Sequence, residues 1–387
     1  MLRKIEFDNF YSFKDKQVID FTTSKKKGGS YFTSFDGVQI SKVMGIIGPN
    51  SSGKTNITKL FGFLKYFLTS STRDQFEGSD TGYKSYAFSG SKETTITAEF
   101  ETSNYLCVYS VALCPSEIFK ETLKIRKLSK YSKYIEVFKR TKDKIVVNKS
   151  VIKGVTNKGL SAVKKDVSTV AFLKANYDEG LINEISGYFD TYSTNINEGG
   201  FIYTAEERLA EVARIYSRVP KLKGKVEEFM KNFGLGISGF DIKENDKQIQ
   251  VEAIHKINNK KYSLPIRYES RGTKSLFVDL LDILVCTDLY GKELIVDEIE
   301  MGLHPEAVNK IVSFVIDSFS DKKKQFVFAS HTFDFLKKFD AQQISLVEKK
   351  DNKSEIFRLD EIDVRLGENY YKKYLSGAYG AYPKISV

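Results

Sequence analysis

Residues 42–56, Lys-Val-Met-Gly-Ile-Ile-Gly-Pro-Asn-Ser-Ser-Gly-Lys-Thr-Asn, decide the fold. Val43 to Ile47 is an unbroken apolar run of the kind buried in a parallel sheet. Gly48, Gly53, Lys54 and Thr55 then fit the pattern GxxxxGK[ST] without exception. Beyond Lys54, Ile57, Leu60, Phe61, Leu64, Phe67 and Leu68 recur at helical spacing. Strand, Gly-rich loop and helix thus stand in the order a phosphate site requires. In such a loop the backbone N–H groups close on phosphate oxygens, and the N-terminus of the following helix adds positive potential. Gly48, Asn50, Ser51, Ser52, Gly53, Lys54, Thr55 and Asn56 are the expected nucleotide ligands. Lys54 reaches for the β- and γ-phosphates, and the Thr55 hydroxyl ligates Mg²⁺.

Working outward, a second apolar strand, Leu294-Ile295-Val296, ends in Asp297 and Glu298. A buried strand rarely ends in adjacent carboxylates unless something cationic sits there. Beside a phosphate loop that cation is Mg²⁺, which Asp297 holds together with Thr55, leaving Glu298 to activate the attacking water. Taken alone the tripeptide Val-Asp-Glu is equally well a solvent-facing strand end. Its pairing with the phosphate loop gives it meaning.

The rest of the chain divides by texture. RKIEFDNF and QVIDF near the start read as short strands. TTITAEFE, YLCVYSVAL, ETLKIRKL and KYIEVFKR, between about 94 and 140, alternate apolar with polar residues, the mark of an antiparallel sheet with one face in water. Residues 151–261 read as a mainly helical insertion or arm, from the helical spacing of Leu209, Val212, Ala213 and Tyr216 and of Val226, Phe229, Met230 and Phe233. NEGG near 197–200 and GLGISG at 234–239 read as hinges or turns. From 262 the α/β texture returns, with helices around Leu276–Leu284 and Val308–Val315 and strands at QFVFAS and QISLVEK. The fold expected is α/β, with residues 1–150 and 262–387 forming one head of mixed central sheet plus antiparallel β subdomain, and 151–261 inserted between them. No heptad persists long enough for a coiled coil.

Composition narrows the class further. The chain has 387 residues, 60 Lys+Arg against 50 Asp+Glu, a formal charge of +10 and 41% hydrophobic residues, which excludes disorder. Cys107, Cys114 and Cys286 form no CxxC and leave an odd count, so neither a disulfide framework nor a zinc ribbon fits. The amino terminus shows no signal-peptide pattern, and the most apolar stretch, SLFVDLLDILVC, is cut by Asp279 and Asp282 well short of the ~18 residues a membrane span needs. A cytoplasmic protein with no membrane partner is expected.

Two further motifs give the phosphate site its context. Ser270-Arg271-Gly272-Thr273 opens an apolar helix before the acidic strand, and Ser330-His331 closes a strand after it. SRGTK resembles the signature loop of ABC-type ATPases, VDEIEMGLHP resembles Walker B running into the D-loop, and Ser330-His331 resembles the switch histidine. The opening LRKIEFDNFYSF, the ExxLHP of Glu300, Leu303, His304 and Pro305, the segment ISLVEKKDNKSEIFRL and the closing YLSGAYGAYPKI narrow the likeness. Together they are similar to the stand-alone ABC-like AAA ATPases of bacterial anti-phage systems. That group takes in RloA/AbiL-type ATPases, the AriA component of PARIS and the ATPase parts of Septu and OLD-family proteins. The likeness covers roughly 1–60 and 262–387.

This resemblance implies an ABC-type P-loop ATPase head that uses ATP and Mg²⁺ and works as a head-to-tail homodimer or higher homo-oligomer. Two ATP molecules are then held between one subunit's phosphate loop and the other's signature, so Ser270 and Gly272 act in trans on the γ-phosphate. His331 contacts that phosphate and helps orient the water, and Glu298 is the base. Arg271 stands where the signature is often small or polar, and Ala378 stands where relatives commonly carry Arg. No nuclease motif is evident, so a separate effector, a nuclease or a toxin, is the expected partner. Two alternatives stay open: an SMC-like DNA-repair ATPase, against which the missing coiled coil argues, and a non-turnover scaffold that holds ATP and displays a toxin.

The net charge has an address. Residues 120–165 hold fifteen Lys and Arg against Glu121, Glu136 and Asp143. Lys-rich strands commonly present a solvated face. Interleaved Tyr131, Tyr134 and Phe138 also match the aromatics of single-stranded nucleic-acid binders, which makes nucleic acid a second candidate partner through 120–165. His304 reads as a loop-shaping residue, and His255, in an alternating strand, as structural.

Overall fold

The computed structural model describes residues 1–24, 28–72, 81–90, 93–197, 200–201, 205–245, 248–289, 293–300, 302–332, 338–362 and 370–380. Parts of NEGG, the residues just past the Ser-His pair and the last part of YLSGAYGAYPKI lie outside them.

The chain opens with β1 (Leu2–Asp8) and β2 (Gln17–Asp20), then the buried strand β3 (Val43–Ile47) and helix α1 (Lys54–Thr69). Five strands follow: β4 (Thr94–Glu101), β5 (Tyr105–Cys114), β6 (Glu117–Lys127), β7 (Ile135–Thr141) and β8 (Ile145–Val147). Helices α2 (Thr169–Asn176) and α3 (Gly180–Asp190) lead to the two-residue strand β9 (Ser193–Thr194), and α4 (Ala205–Arg218) and α5 (Pro220–Asn232) follow. A meander comes next: β10 (Ile237–Asn245), β11 (Gln248–Ile257) and β12 (Lys260–Pro265). The last part holds α6 (Arg271–Leu284), β13 (Glu293–Val296), α7 (Pro305–Phe319), β14 (Gln325–Ser330), β15 (Ile344–Lys350) and β16 (Lys353–Arg358).

The central sheet runs β9-β13-β14-β3-β15-β16, parallel except for the final β15–β16 hairpin. Its inner strands β13, β14 and β3 are buried along their whole length because both faces are covered. Met44 and Ile46 of β3 enter a core shared with α1, α2, α3 and the antiparallel sheet. Val43 and Ile47, one residue out of phase, enter a second core with α4 to α7. The antiparallel sheet, β8-β7-β6-β5-β4-β1-β2, turns its apolar alternation inward onto the first core. The α/β head with mixed central sheet and antiparallel subdomain is therefore as the sequence pattern predicts.

The insertion differs from its reading. Its helices do not stand apart as an arm: Val170, Leu173, Ile182 and Ile185 pack in the first core, and Val212, Tyr216, Val226 and Met230 in the second. Within the mainly helical stretch, residues 237–265 form the β10-β11-β12 meander: His255 lies on β11, in the alternating strand expected around it, and Val251 and Ala253 alternate inward against the second core. A buried carboxylate holds the first helices down. Glu121 on β6 accepts from Tyr109 Oη at 2.7 Å, Ser168 Oγ at 3.0 Å and Thr169 N at 2.9 Å, at the start of α2. Within GLGISG, Gly234 and Gly236 have φ of 69° and 72°, the turn expected there.

Candidate nucleotide-binding site

The phosphate loop sits between the end of β3 and α1, where the parallel sheet delivers several strand ends to one place. Gly53 caps α1 with φ +119° and no side-chain cap, and the first turn of α1 carries no acid, so its N–H groups and positive end are left for an anion. Two neighbours press on the loop. A Cβ at Gly48 would lie 2.2 Å from Val347 O of β15, and one at Gly53 would lie 2.6 Å from Ser354 Oγ of β16. Gly48 is thus dictated by the close approach of the β15 backbone, and Gly53 by its φ. Ser354 Oγ donates to Ser52 O at 2.5 Å and to Ser12 Oγ at 2.8 Å, while Asn56 Nδ2 donates to the same Ser12 Oγ at 2.8 Å.

Lys54 lies across the mouth of the loop and donates to Gly48 O and Pro49 O, each at 2.8 Å. Burial lowers its pKa, and Asp297, Glu300 and Glu298 oppose that shift. These two carbonyls are weak partners for an ammonium beside an open cavity, and phosphate oxygens would replace them. Thr55 Oγ1 donates to Asp297 Oδ2 at 2.8 Å, which joins the loop to the end of β13. Asp297 is 1% exposed, and its other oxygen, Oδ1, is buried without a hydrogen-bond partner. Burial pushes its carboxyl up to about 6; the Thr55 hydrogen bond works against that rise and Glu298 adds to it. An orphaned, buried carboxylate oxygen beside a threonine hydroxyl fits a divalent cation. Among the described residues no group of three or more His, Cys, Asp and Glu could hold a metal alone. Such an ion would therefore be completed by phosphate and water oxygens.

Glu298 follows with φ 49° and an exposed side chain, turned out of the strand toward the cavity. His331 is 52% exposed at the end of β14, with Nδ1 3.6 Å from Glu300 Oε1. The cavity has a volume of about 430 Å³ and is lined by Asn50, Ser51, Gly53, Lys54, Thr55, Asn56, Asp297, Glu298 and His331 of the expected residues. Gly48 and Ser52 lie under the loop and do not line the cavity. Ser270 and Gly272 do not line it either. Exposed Ser270 caps α6, accepting from Thr273 N at 3.1 Å, and Gly272 packs on the turn at Gly302, where a Cβ would meet Gly302 O at 2.8 Å.

Sequence reasoning missed five residues here: Ser12, Asn195, Glu300, Lys349 and Ser354. Ser12 and Lys349 line the cavity. Asn195 Nδ2 donates to Asp297 O, and its Oδ1 accepts from Asp297 N, both at 2.9 Å, so one amide clamps the backbone that aims the carboxylate. Ser12, Glu300, Lys349 and Ser354 fall within the motifs quoted for the resemblance, but the resemblance gives them no role at the site, and Asn195 has no local signal. His304 caps α7, its Nδ1 accepting from Glu306 N at 3.3 Å, and His255 Nε2 lies 2.7 Å from Glu269 Oε1, so both histidines shape structure.

The basic segment is also sharper than its sequence. Its thirteen lysines are all exposed, but Arg140 is buried and donates to Val167 O at 2.6 Å, and Arg126 donates to Asp36 Oδ2 at 2.9 Å. Phe138 is 1% exposed and belongs to the first core, whereas Tyr131, 90% exposed, and Tyr134, 45% exposed with Arg126 5.3 Å from its ring centre, remain open. Of the three interleaved aromatics, Phe138 is withdrawn from any surface because it falls on the inward side of β7.

A phosphate loop between a buried parallel strand and a helix, facing a buried strand-end Asp-Glu pair, defines an ATPase head of the P-loop class. The chain belongs to the family described as "AAA domain, putative AbiEii toxin, Type IV TA system", which matches residues 43–335. No curated protein matches it. Among solved structures, the SMC head domain from Thermotoga maritima is similar at 15% identity and a TM-score of 0.41, over 92% of this chain and 98% of that one. An SmcHead bound to the C-winged helix domain of ScpA is similar at 16% identity and a TM-score of 0.46, over 93% and 98%. A Pyrococcus furiosus Smc head with an extended coiled coil, bound to the C-terminal domain of ScpA, gives 16% and 0.40, over 97% and 99%. No helix among the described residues is long and apolar enough to cross a membrane.

Proposed function

We propose that this chain binds and hydrolyses ATP with Mg²⁺ as the sensing or regulatory subunit of a bacterial anti-phage system, and that it controls a separate effector, a nuclease or a toxin. The observation that carries the ATP reading is one cavity that gathers Lys54, Thr55, Asp297, Glu298 and His331. Lys54 exchanges its loop carbonyls for phosphate oxygens. Thr55 and Asp297 hold the cation, which when bound neutralises charge on the phosphates. Glu298, exposed at the cavity, accepts the proton of the attacking water, and His331 orients it.

The defence role rests on the family, whose description carries a toxin–antitoxin system, and on the likeness of the chain's motifs to anti-phage ATPases. The head-to-tail pair is supported by what a single chain leaves open. Ser270 is exposed at the N-terminus of α6, away from the cavity of its own chain, and in a pair its hydroxyl and the Gly272 N–H face the partner's γ-phosphate. Contact with nucleic acid through the exposed lysines of 120–165 remains a separate proposal about one surface.

The test is Glu298→Gln with Mg²⁺ and ATP, followed by light scattering. A trapped pair has twice the 44.1 kDa mass of the chain. A species that stays at the mass of one chain while saturated with ATP contradicts the paired reading, and turnover unchanged by the substitution removes Glu298 from the base role.

A further inference from the structure

Glu300 is 7% exposed, lines the nucleotide cavity and stands three residues past Asp297. Its oxygen Oε1 collects a whole turn. It accepts from Ser330 Oγ, from His331 N at 2.8 Å, from Thr332 N at 3.0 Å and from Thr332 Oγ1 at 3.3 Å. Its other oxygen, Oε2, is buried with no hydrogen-bond partner. The backbone of the same residue faces the other way: Glu300 O accepts from Leu303 N at 2.7 Å, closing the turn through Gly302, whose φ is 71°. Gly302 O is the atom a Cβ at Gly272 would strike at 2.8 Å, so the turn rests on the first residues of α6.

We propose that Glu300 is a positioning residue that fixes the His331 turn at the nucleotide cavity and ties it to the signature end of α6 in the same chain. Two adjacent backbone N–H groups and two hydroxyls on one carboxylate oxygen hold the turn by charge-assisted hydrogen bonds, which are shorter and stronger than neutral ones. His331 itself is half-exposed, with Nδ1 3.6 Å from the same Glu300 Oε1. A shift of the His331 backbone therefore displaces Glu300, and Glu300 carries the 302–304 turn that packs on Gly272. The γ-phosphate felt at His331 is thereby linked to the loop that the proposed pair presents to the second nucleotide.

This inference rests on the nucleotide reading above, and its test keeps the two apart. Calorimetry on the full chain with Mg²⁺ compares the affinity for the non-hydrolysable triphosphate AMP-PNP with that for ADP. The variants are His331→Ala, Glu300→Ala, Glu300→Asp, Glu300→Gln and the double Glu300→Ala/His331→Ala. Wild type prefers AMP-PNP. His331→Ala and Glu300→Ala each cut that preference by about tenfold, and the double variant by no more than either single, because both changes free the same turn. Glu300→Asp, one methylene short of the turn, behaves like the alanine variant. Glu300→Gln, whose carbonyl keeps the two backbone donors, stays within about twofold of wild type.

If Glu300→Ala fails to fold, the Asp and Gln variants decide the question. The inference is overturned if Glu300→Ala weakens both nucleotides equally, if its effect adds to that of His331→Ala, if Glu300→Gln is as impaired as the alanine or aspartate variant, or if wild type shows no preference. A wild type that binds neither nucleotide, or a Lys54→Ala variant that binds as well as wild type, instead overturns the nucleotide reading and the inference with it.

Discussion

At the phosphate loop half-buried Lys54 converges with backbone N–H groups and a helix N-terminus on one cavity; between 120 and 165 thirteen lysines, four of them in strands of the antiparallel sheet and the rest in its turns and the residues after it, are exposed. The first region carries little formal charge and focuses it where water is partly excluded. The second carries more than the whole chain's surplus of +10 and spreads it into solvent, where salt screens it. Affinity for a particular anion follows from convergence and burial, so charge counted along the sequence is a poor guide to which region binds more tightly. The two arginines of the basic segment make the same point, since Arg140 and Arg126 serve Val167 O and Asp36 and leave the surface to lysine.

Substitutions can break or sharpen this contrast. The largest expected effect is at Phe138, which the basic segment's sequence offers as a stacking ring and the structure places in the core: Phe138→Ala should lower stability by about 3–5 kcal/mol in chemical denaturation. A folded, equally stable variant with weakened nucleic-acid binding would instead put that ring on the surface. Next, Glu298→Gln should cut ATP turnover by about 100-fold or more while Kd for ATP changes little, as expected for a group that acts on the water and not on the phosphates.

Asp297 comes third. Its carboxyl is pushed from 3.8 up to about 6 in the folded, metal-free chain. The folded state therefore binds its proton more tightly than the unfolded state does, and stability falls as pH rises from about 4 through about 6, then stays level. Asp297→Asn removes that penalty, on the order of 3 kcal/mol. Its thermal midpoint without Mg²⁺ should exceed wild type at pH 7.5, and the gap should close as pH falls toward 4. A gap that widens on acidification would show the Asp297 carboxylate to be stabilised by its site.

The smallest effect on nucleotide is expected on the sheet. Replacing Lys120, Lys124, Lys139 and Lys142 by Ala should leave ATP affinity within about twofold. If the surface binds nucleic acid, the same change should flatten the slope of log affinity against log salt by up to about 4. An unchanged slope would make these lysines a solvated face.

The parts of this molecule written in consecutive residues were legible in the sequence. Val43–Ile47, the loop and α1 form one local unit, and the apolar spacing of α6 and α7 needs no distant partner to be read. The alternation around His255 marks the middle strand of the meander, but the helical spacing of α4 and α5 beside it dominates the window, and the flanking strands β10 and β12 were not legible there. The site was half legible. Lys54, Thr55, Asp297 and Glu298 announce themselves by spacing, whereas Asn195 reaches Asp297 across 102 positions and Ser354 meets Ser12 across 342. Contacts of that kind depend on the order of strands in the sheet, which no window of sequence contains. Glu300 lies between the two cases: its position is local, but its work is done on residues 330–332.

The central claim is that Lys54 and its loop hold the phosphates of ATP, and it is most directly tested by titrating Mg²⁺-ATP into the wild-type chain and the Lys54→Ala variant side by side. Saturable binding of one nucleotide per chain in the wild type, weakened by about 100-fold or more in a variant that remains folded, is the result expected from losing a charge-assisted contact in a half-buried site. Equal binding curves for the two proteins, or no binding by either, would contradict it.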